Sequence, residues 1–242
     1  MDDSAPPEAR REQLLRAITE QGFVRVTDAA TELGVSGVTV RSDLAALEAA
    51  GAVIRVHGGA MPRVQGASES SFESSLEQES AAKRAIGRRA AGLVNSGQSI
   101  LLDVGTTALA VAHALVDRRD LEELTVVVTG GTLRPLQHSL VNPFASTLLD
   151  SLHLDLAFIG CNGVDPERGV TNVNLPEAEV KRQMVTAADR AIVVADASKL
   201  GRTRLGRIGP LDDFDTLVTA KDAPADVVGR LRAAGLTVLL AG

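Results

Sequence analysis

The chain of 242 residues has few or none of the residue types on which several large protein classes depend. Its single cysteine, Cys161, excludes a disulfide within the chain. Tryptophan and tyrosine are absent and there are five phenylalanines, too few for the stacking platforms that bind single-stranded nucleic acid. We find no N-terminal signal segment and no apolar run near the ~18 residues that a membrane-spanning helix needs. These absences favour a cytoplasmic protein.

Basic residues are also in the minority. Lysine and arginine number 25 against 31 acidic residues, which gives a formal net charge of -6. This balance favours solubility and disfavours binding to anionic membranes. The four histidines lack the paired spacing of metal ligands, and Cys161 lies in a glycine turn without a base nearby in the sequence. We therefore expect no metal and no cofactor, and a packing or pocket-lining role for Cys161.

Residues 35–60 have the pattern of a short helix, a turn and a β-hairpin. Ser36 is placed to cap a helix that begins at Gly37, and its buried stripe is predicted to be Val38, Leu44 and Leu47. The opposite face is predicted to carry Thr39, Arg41, Ser42 and Asp43. Two earlier helices, over 14–18 and 26–33, the second stopped at Gly34, complete a small core. A strand over 53–57 and a turn at Gly58 and Gly59 follow.

This layout is typical of proteins that read the major groove of duplex DNA. The candidate contacts are Ser36, Thr39, Arg41 and Ser42 on the helix, and Arg55 and His57 on the strand. A protein-interaction module with the same layout is the alternative. Residues 1–62 contain more acidic than basic residues, so we expect no strong nonspecific attraction to DNA.

The rest of the chain predicts a second domain. Residues 63–80 are rich in serine and glutamate and predict a linker that becomes helical near its end, between domains over 1–62 and 81–242. Short aliphatic strands at 99, 125, 155, 191, 216 and 237 alternate with helical stretches. The fold class is therefore α/β, with a mostly parallel sheet covered on both faces.

Polar and glycine-rich segments follow several of these strands, at the edge where ligands bind in such sheets. The loop after the first strand opens a helix and is suited to hold a phosphate. The candidate ligand-binding residues are Asp103, Gly105, Thr106, Thr107, Gly130, Gly131, Gly163, Glu177, Lys181 and Lys199. Taken singly, the glycines are also explained as tight turns, Glu177 with Lys181 as a solvated helix pair, and Lys199 as an exposed lysine.

The first domain resembles the N-terminal domain of the DeoR family of bacterial transcriptional regulators. The resemblance lies in Val35, Ser36, Thr39, Arg41, Asp43 and Leu44, then Leu47, Glu48 and Gly51, and in the run Arg55 to Ala60. Ser42 departs from the pattern, since the family has a second arginine there. The loss of one phosphate-binding cation is expected to weaken DNA binding.

The second domain resembles the DeoR effector domain, which is related to ribose-phosphate isomerase and glucosamine-phosphate deaminase. The motifs are LLDVGTT, VVVTGGTLRP, LDLAFIGCNGV, GVTNVNLPEAEVKRQM and VVADASKLGR. By resemblance, the 105–107 loop and Lys199 would hold the phosphate of a sugar phosphate, while Asp103, Glu177 and Lys181 would serve its hydroxyls or the pocket geometry. Only one strand, within 124–131, lies between the first helix and the L-R-P segment, so one strand-helix unit is expected to be missing. We expect the remaining strand to lie beside the first.

The resemblance implies a repressor of carbohydrate-metabolism genes. Such a protein binds double-stranded operator DNA as a homo-oligomer, a dimer or a tetramer, and is released by a phosphorylated sugar. The enzyme alternative is a sugar-phosphate isomerase or deaminase that uses Glu177, Asp165 or Glu167 as acid or base. The isomerase signatures D-G-A-D-E and K-G-G-G and the deaminase histidine are absent, which disfavours it. A regulator that has lost its effector response, with a second domain serving oligomerisation, is a further alternative.

Overall fold

The computed structural model describes residues 6–21, 23–49, 52–56, 58–62 and 71–242. The chain forms two compact units, one up to residue 68 and the other from residue 69 onwards. Each unit has its own buried apolar core. No helix within the described ranges is both long and apolar enough to cross a membrane.

The first unit combines three helices with a β-hairpin, as predicted, and a further short strand, which was not predicted, extends the hairpin to a three-stranded sheet. Its elements are α1 (Pro7–Gln21), β1 (Val24–Arg25), α2 (Val26–Glu32), α3 (Gly37–Ala49), β2 (Val53–Val56) and β3 (Gly59–Pro62), and the strand order is β1-β3-β2. Gly34, just beyond α2, has a φ of 64°, and Gly58 in the hairpin turn has a φ of 82°. Glycine suits both positions because side chains disfavour this left-handed region.

The cap predicted for α3 is present. The Ser36 hydroxyl accepts the backbone N–H of Thr39 at 3.1 Å and lies 2.9 Å from the Thr39 hydroxyl. This bond satisfies one of the donors that a helix leaves unpaired in its first turn. The start of α3 is therefore fixed by its own sequence.

The predicted burial of α3 is wrong at Val38. Its side chain is 72% exposed, whereas Val40, Leu44 and Leu47 are buried. Positions 40, 44 and 47 repeat at intervals of four and three and so share one helix face, while position 38 lies about 200° around the helix from position 40. The stripe begins at Val40, and Val38 belongs to the exposed face.

Asp43 also differs from its predicted position on the exposed face. It is buried because two arginines of α1 bind its carboxylate, Arg10 Nε at 2.5 Å and Arg11 Nε at 3.1 Å. A buried carboxylate is stable only when it is paired, and here two cations from a neighbouring helix supply the pairing. Asp43 therefore joins α1 to α3 and is unavailable to an outside partner.

The second unit is built on a six-stranded parallel sheet in the order β14-β13-β11-β8-β4-β5. All six predicted strands are present. The sheet strands are β4 (Ser99–Leu102), β5 (Thr125–Val128), β8 (Leu154–Gly160), β11 (Ala188–Val194), β13 (Thr216–Ala220) and β14 (Thr237–Ala241). The helices are α4 (Phe72–Glu77), α5 (Ser80–Ala91), α6 (Thr106–Val116), α7 (Phe144–Leu149), α8 (Leu175–Thr186) and α9 (Ala225–Ala233).

Helices cover both faces of this sheet. Alternate strand residues belong to different cores: Ile100 and Phe158 pack with α5 and α6, whereas Leu101 and Ile159 pack with α7, α8 and α9. Side chains on a strand alternate between the two faces, so a strand buried on both must be apolar throughout. This explains why the sequences SILL, LAFI and AIVV contain no polar interruption beyond their first residues.

The short antiparallel elements were not predicted. A hairpin joins β6 (Thr132–Arg134) to β7 (Ser139–Val141), and a small sheet joins β9 (Gly163–Asp165), β10 (Gly169–Asn172) and β12 (Gly206–Gly209) in the order β12-β10-β9. These strands contain three or four residues each, too few for an alternating pattern to be recognised. They nevertheless carry polar residues of the candidate site.

Only one strand, β5, lies between α6 and the β6–β7 hairpin, and it pairs in parallel with β4. The predicted position beside the first strand is confirmed. Among the described residues, β5 has a strand neighbour on one side only, so it forms an edge of the sheet. Val126 and Val128 are 46% and 64% exposed there.

Helix α4 lies within the stretch predicted as a linker and belongs to the second unit. The hydroxyl of Ser71 accepts the Ser74 N–H at 3.1 Å and caps α4. The Lys83 ammonium donates to the carbonyls of Ser75 and Gln78 at the other end of the helix. Burial lowers the pKa of Lys83. Helix α4 is therefore fixed to α5 before the sheet begins.

Candidate functional site

The exposed face of α3 collects most of the predicted DNA contacts. Ser36, Arg41 and Ser42 are exposed and Thr39 is half-buried. Val38 adds an exposed apolar side chain to the same helix. The face thus offers hydroxyl groups, one guanidinium and one branched apolar group, which are suited to phosphate oxygens, a guanine edge and a thymine methyl respectively.

Arg41 differs from Arg10, Arg11 and Arg16 in its ion pairing. Arg16 lies 3.9 Å from Glu12, and Arg10 and Arg11 bind Asp43. Within the part of this unit that the structure describes, no ion pair involves Arg41. Its Nη1 would lie 3.7 Å from a Cβ at position 37, so the guanidinium reaches back over the first turn of α3. A cation placed there is free to bind an external anion.

Arg55 on β2 already has an internal partner. Its backbone N–H donates to Glu48 Oε1 at 3.1 Å, and its Nη1 lies 3.7 Å from Glu48 Oε2. These bonds connect the hairpin to the C-terminal part of α3. Both side chains are more than 40% exposed, so the guanidinium can exchange this partner for a phosphate at little cost. His57 lies outside the described residues.

At the carboxyl edge of the parallel sheet, Asp103 and Lys181 form a buried ion pair. Asp103 follows β4 and Lys181 comes from α8, and their side chains are 1% and 6% exposed. Asp103 Oδ2 accepts the Lys181 ammonium and the Gly160 N–H at 2.8 Å, while Oδ1 accepts the Val104 N–H at 2.8 Å. Burial raises the pKa of Asp103, and Lys181 and the two N–H groups oppose that rise.

Glu177, one turn before Lys181 on α8, has a different set of partners. Arg134 and Ser139 of the β6–β7 hairpin donate to its Oε1, and Asn172 Nδ2 donates to its Oε2 at 2.9 Å. Its backbone N–H is capped by the Asn174 side chain at 3.1 Å. Glu177 and Lys181 are both buried and bind different groups, so they are not the solvated helix pair that the sequence left open.

The predicted phosphate-binding loop precedes α6. Gly105 has a φ of 105° and open space around its Cβ position, and Thr106 and Thr107 form the first turn of the helix. Lys199 follows β11 in a short 3-10 turn, where its ammonium lies 3.9 Å from Asp196 and its side chain is 30% exposed. These loops follow β4 and β11, whose carboxyl ends lie at the same edge of the parallel sheet. The edge therefore carries a partly exposed cation and free backbone N–H groups, which suit an anion.

The three remaining candidate glycines differ in their surroundings. Gly130 is exposed, with open space at its Cβ position. A Cβ at Gly131 would lie 2.4 Å from the Val141 carbonyl oxygen, and one at Gly163 would lie 2.3 Å from that of Arg202. Gly131 and Gly163 thus allow close approach of two backbone segments, and only Gly130 faces open space.

Cys161 is not arranged as a nucleophile. Part of its side chain reaches the surface, but its surroundings are dense, and burial raises the pKa of the thiol to about 12. The thiol is therefore protonated at neutral pH, and Lys181 and Lys199 are its cationic neighbours. In the described ranges, no three of the histidine, cysteine, aspartate and glutamate residues are grouped to hold a metal ion.

Comparison with protein families identifies both units. A model of the DeoR-like helix-turn-helix domain matches residues 10–63, and a model of the DeoR C terminal sensor domain matches residues 78–127 and 119–221. The chain belongs to the DeoR family. Its first unit is the DNA-binding domain of that family, and its second unit is the sensor domain.

Relatives of this DeoR-family chain match it over almost its whole length. A protein of Escherichia coli O157:H7 named for repression of the aga operon is 35% identical, over 96% of this chain and 93% of that protein. The transcriptional regulator GlpR of Haloferax volcanii is 33% identical, over 96% and 97%. The transcriptional repressor AccR of Agrobacterium fabrum is 30% identical, over 87% and 88%. These relatives are transcriptional regulators by name.

Solved structures that match part of this chain include ribose 5-phosphate isomerase A from Neisseria gonorrhoeae. It is 17% identical, with a TM-score of 0.37, over 52% of this chain and 54% of that one. The isomerase from Methanocaldococcus jannaschii is 18% identical, also with a TM-score of 0.37, over 50% and 55%.

The DeoR sensor match is interrupted where the sequence predicts a missing strand-helix unit. Its two segments, over residues 78–127 and 119–221, overlap over residues 119–127. That stretch includes the first three residues of β5. The alignment with GlpR extends over 248 positions, more than the 242 residues of this chain, so the relative has residues that this chain lacks.

Sequence reasoning missed several residues of the site. Arg134, Ser139 and Asn172 surround Glu177, and Lys83 holds α4. Arg134 had a visible signal, because it lies in the L-R-P segment that the family motif contains. Val38 was assigned to the core although its position relative to Val40 and Leu44 indicates exposure.

Proposed function

We propose that this DeoR-family chain is a cytoplasmic repressor that binds operator DNA as a homo-oligomer, a dimer or a tetramer, and that a phosphorylated sugar releases it. The observation that carries this proposal is the exposed face of α3, where Arg41 lies without an acidic partner in the described part of the unit. A single small head with few cations contacts too few base pairs for genomic specificity, whereas paired heads read two half-sites.

On DNA, α3 enters the major groove with its N-terminal turn towards the bases. Arg41 binds a guanine edge or a phosphate, Val38 contacts a thymine methyl, and Ser36, Thr39 and Ser42 bind phosphate oxygens. Arg55 and His57 on the hairpin contact the neighbouring backbone. The contacts are few, and their specificity depends mainly on Arg41 and Val38.

The test is a binding titration on DNA upstream of this protein's own gene. Arg41→Ala is expected to weaken specific binding by about 1–3 kcal/mol, the value of a two-nitrogen contact to guanine. Arg230→Ala is the matched control, because it removes the same charge from an exposed arginine of the sensor domain. Equal affinity of wild type and Arg41→Ala for the DNA would refute the role of α3.

The effector binds at the carboxyl edge of the sensor sheet. The N-terminal turn of α6, with Gly105, Thr106 and Thr107, and the ammonium of Lys199 hold the phosphate. Gly130 leaves room at the same edge, and Gly131 and Gly163 support the surrounding loops. Asp103, Lys181 and Glu177 shape the pocket, where the two carboxylates accept from sugar hydroxyls and the Lys181 ammonium donates to them.

Calorimetric titration with ribose, glucose and glucosamine phosphates tests this site. Lys199→Ala is expected to weaken the phosphate ligands while leaving the unphosphorylated sugars unaffected. Arg119→Ala removes the same charge at an exposed position beyond the C-terminal end of α6, at the opposite edge of the sheet, and serves as the control. Binding of a sugar phosphate that Lys199→Ala does not alter would exclude Lys199 from the phosphate site.

The bound sugar is coupled to the DNA-binding unit through α4. The N–H of Phe72, at the start of α4, donates to the Leu136 carbonyl at 2.8 Å, and its ring stacks on His138 with centroids 4.5 Å apart. Leu136 and His138 lie in the hairpin that also carries Arg134 and Ser139, the partners of Glu177. A ligand that rearranges Glu177 therefore moves the hairpin and α4. Lys83→Met, which frees the other end of α4, is expected to keep effector binding and to reduce effector-induced DNA release.

The enzyme alternative is disfavoured because its acid-base candidates already have internal hydrogen-bond or ion-pair partners. Both carboxylate oxygens of Glu177 accept internal hydrogen bonds, and Asp165 accepts the N–H groups of Glu167 and Arg168, both at 2.9 Å. Glu167 is exposed and lies 3.6 Å from Arg230. No turnover of ribose or glucosamine phosphates is expected, and an assay for product formation checks this.

A further inference from the structure

The outer edge of β5 has open backbone groups. The Thr125 N–H donates to the Gln98 carbonyl at 2.9 Å, so Thr125 faces β4. Successive residues of a strand direct their N–H and C=O groups to alternate sides, so Val127 also faces β4. The N–H and C=O groups of Val126 and Val128 therefore point away from β4, where the described residues include no strand partner.

Among the residues that the structure describes, one face of β5 also lacks the cover that parallel sheets normally have. Val126 and Val128 pair with Ile100 and Leu102 of β4 and share their sheet face, yet they are exposed while Ile100 and Leu102 are buried. Val127, on the other face, packs against the neighbouring core. The two segments of the family match overlap over residues 119–127, which include the first three residues of β5.

The edge carries none of the features by which proteins prevent strand pairing. Exposed edge strands are normally interrupted by a charged residue, a proline or a bulge. Residues 124–133 contain neither a charge nor a proline, and the β4–β5 register is regular. This edge is suited to accept another strand.

We propose that β5 pairs in antiparallel fashion with β5 of a second copy of this chain, which joins the two sensor sheets edge to edge. With Val127 on the two-fold axis, Val126 faces Val128 of the second copy, and the outward N–H and C=O groups of both residues are paired. The four exposed valines then lie side by side on one face, at the cross-strand spacing of apolar pairs.

The strand itself favours a second copy as the occupant. The run Thr-Val-Val-Val-Thr over 125–129 reads the same in both directions and carries no charge. An antiparallel pair of these strands therefore places threonine opposite threonine and valine opposite valine. An isologous contact of this kind closes as a dimer and leaves no further β5 edge. The inference rests on the proposed function in one respect only, namely that the assembly provides paired DNA-binding heads.

The experiment is sedimentation velocity on the full chain without DNA at micromolar concentration. Val128→Lys places two ammonium groups in the interface, and Val126→Pro removes the outward N–H of residue 126 in each copy while preserving the bonds to β4. Leu240→Lys is the matched control, because Leu240 is exposed on β14 at the opposite edge of the same sheet. Far-UV circular dichroism checks that each variant is folded.

We expect the mass of the assembly to fall by half in both β5 variants and to stay at the wild-type value in Leu240→Lys. The amides of residues 126 and 128 are expected to exchange hydrogen slowly in the wild type and rapidly in Val128→Lys. An unchanged mass in both β5 variants would overturn the inference, and operator binding by that assembly would leave the proposed function intact. A wild-type monomer whose Val126 and Val128 amides are protected would also overturn it, since a segment of the same chain would then cover the edge.

Discussion

The buried pair of Asp103 and Lys181 gives the most direct test of how the sensor site is stabilised. Replacing Lys181 with methionine keeps the length of the side chain but leaves the Asp103 carboxylate with two backbone N–H donors and no cation. Breaking one partner of a buried pair costs roughly 3–5 kcal/mol. For a unit of this size, this corresponds to a fall in melting temperature of about 6–20 °C.

The assay is thermal and urea unfolding followed by far-UV circular dichroism, because the chain has no tryptophan or tyrosine for fluorescence. Asp103→Asn and the double variant complete a mutant cycle. Since the two charges satisfy each other, the double variant is expected to be more stable than the sum of the single changes predicts, by about 2–3 kcal/mol. A loss below about 1 kcal/mol in Lys181→Met would show that water reaches the carboxylate and would refute the argument.

The pH dependence of this variant follows from the same burial. Without Lys181, the raised pKa of Asp103 is expected to rise further, since burial is its largest cause. A carboxyl group whose pKa is higher in the folded than in the unfolded chain destabilises the fold when the pH lies above the pKa of the unfolded chain. This penalty disappears as the pH falls below that pKa. The stability gap between Lys181→Met and wild type should therefore narrow in acid.

Three further changes have defined outcomes. Ser42→Arg restores the cation that the family has beside Arg41, and a DNA titration over a range of salt concentrations should show tighter binding with a log-log slope steeper by about one unit; an unchanged slope would place Ser42 away from the phosphates. Gly163→Ala should unfold at lower urea than wild type because of its close approach to the Arg202 carbonyl, whereas Gly130→Ala should match wild type; equal midpoints for both variants would contradict the close packing. Hydrogen bonds from Ser99 lower the pKa of Asp155, so the destabilisation caused by Asp155→Asn should be full above the ordinary aspartate pKa and shrink as the pH falls below it; a gap in melting temperature that does not vary with pH would contradict this.

Much of the fold was predictable because its signals are local. The six sheet strands are continuous aliphatic runs, and Ser36, Gly34 and Gly58 mark a helix start, a helix end and a turn by their own chemistry. The single strand between α6 and the L-R-P segment was also visible in the chain. These features depend on neighbours in the sequence.

The errors concern contacts between distant residues. Asp43 resembles an exposed polar residue of α3, and only the packing of α1 brings Arg10 and Arg11 to it. Glu177 and Lys181 have the spacing of a solvated pair, yet one binds a hairpin from 43 residues earlier in the chain and the other binds the end of β4. Side-chain partners at such separations leave no periodic pattern in one sequence.

Carboxylates within the DNA-binding unit neutralise several of its arginines, and this affects how the protein would find its operator. Arg10 and Arg11 are bound to Asp43, and Glu48 offsets the charge of Arg55 until a phosphate replaces it, so few cations attract a phosphate backbone from a distance. Weak attraction of this kind shortens each visit to nonspecific DNA and reduces sliding along it. The search would proceed mainly by repeated three-dimensional encounters, slower than for a strongly basic head but with fewer molecules held on the rest of the genome.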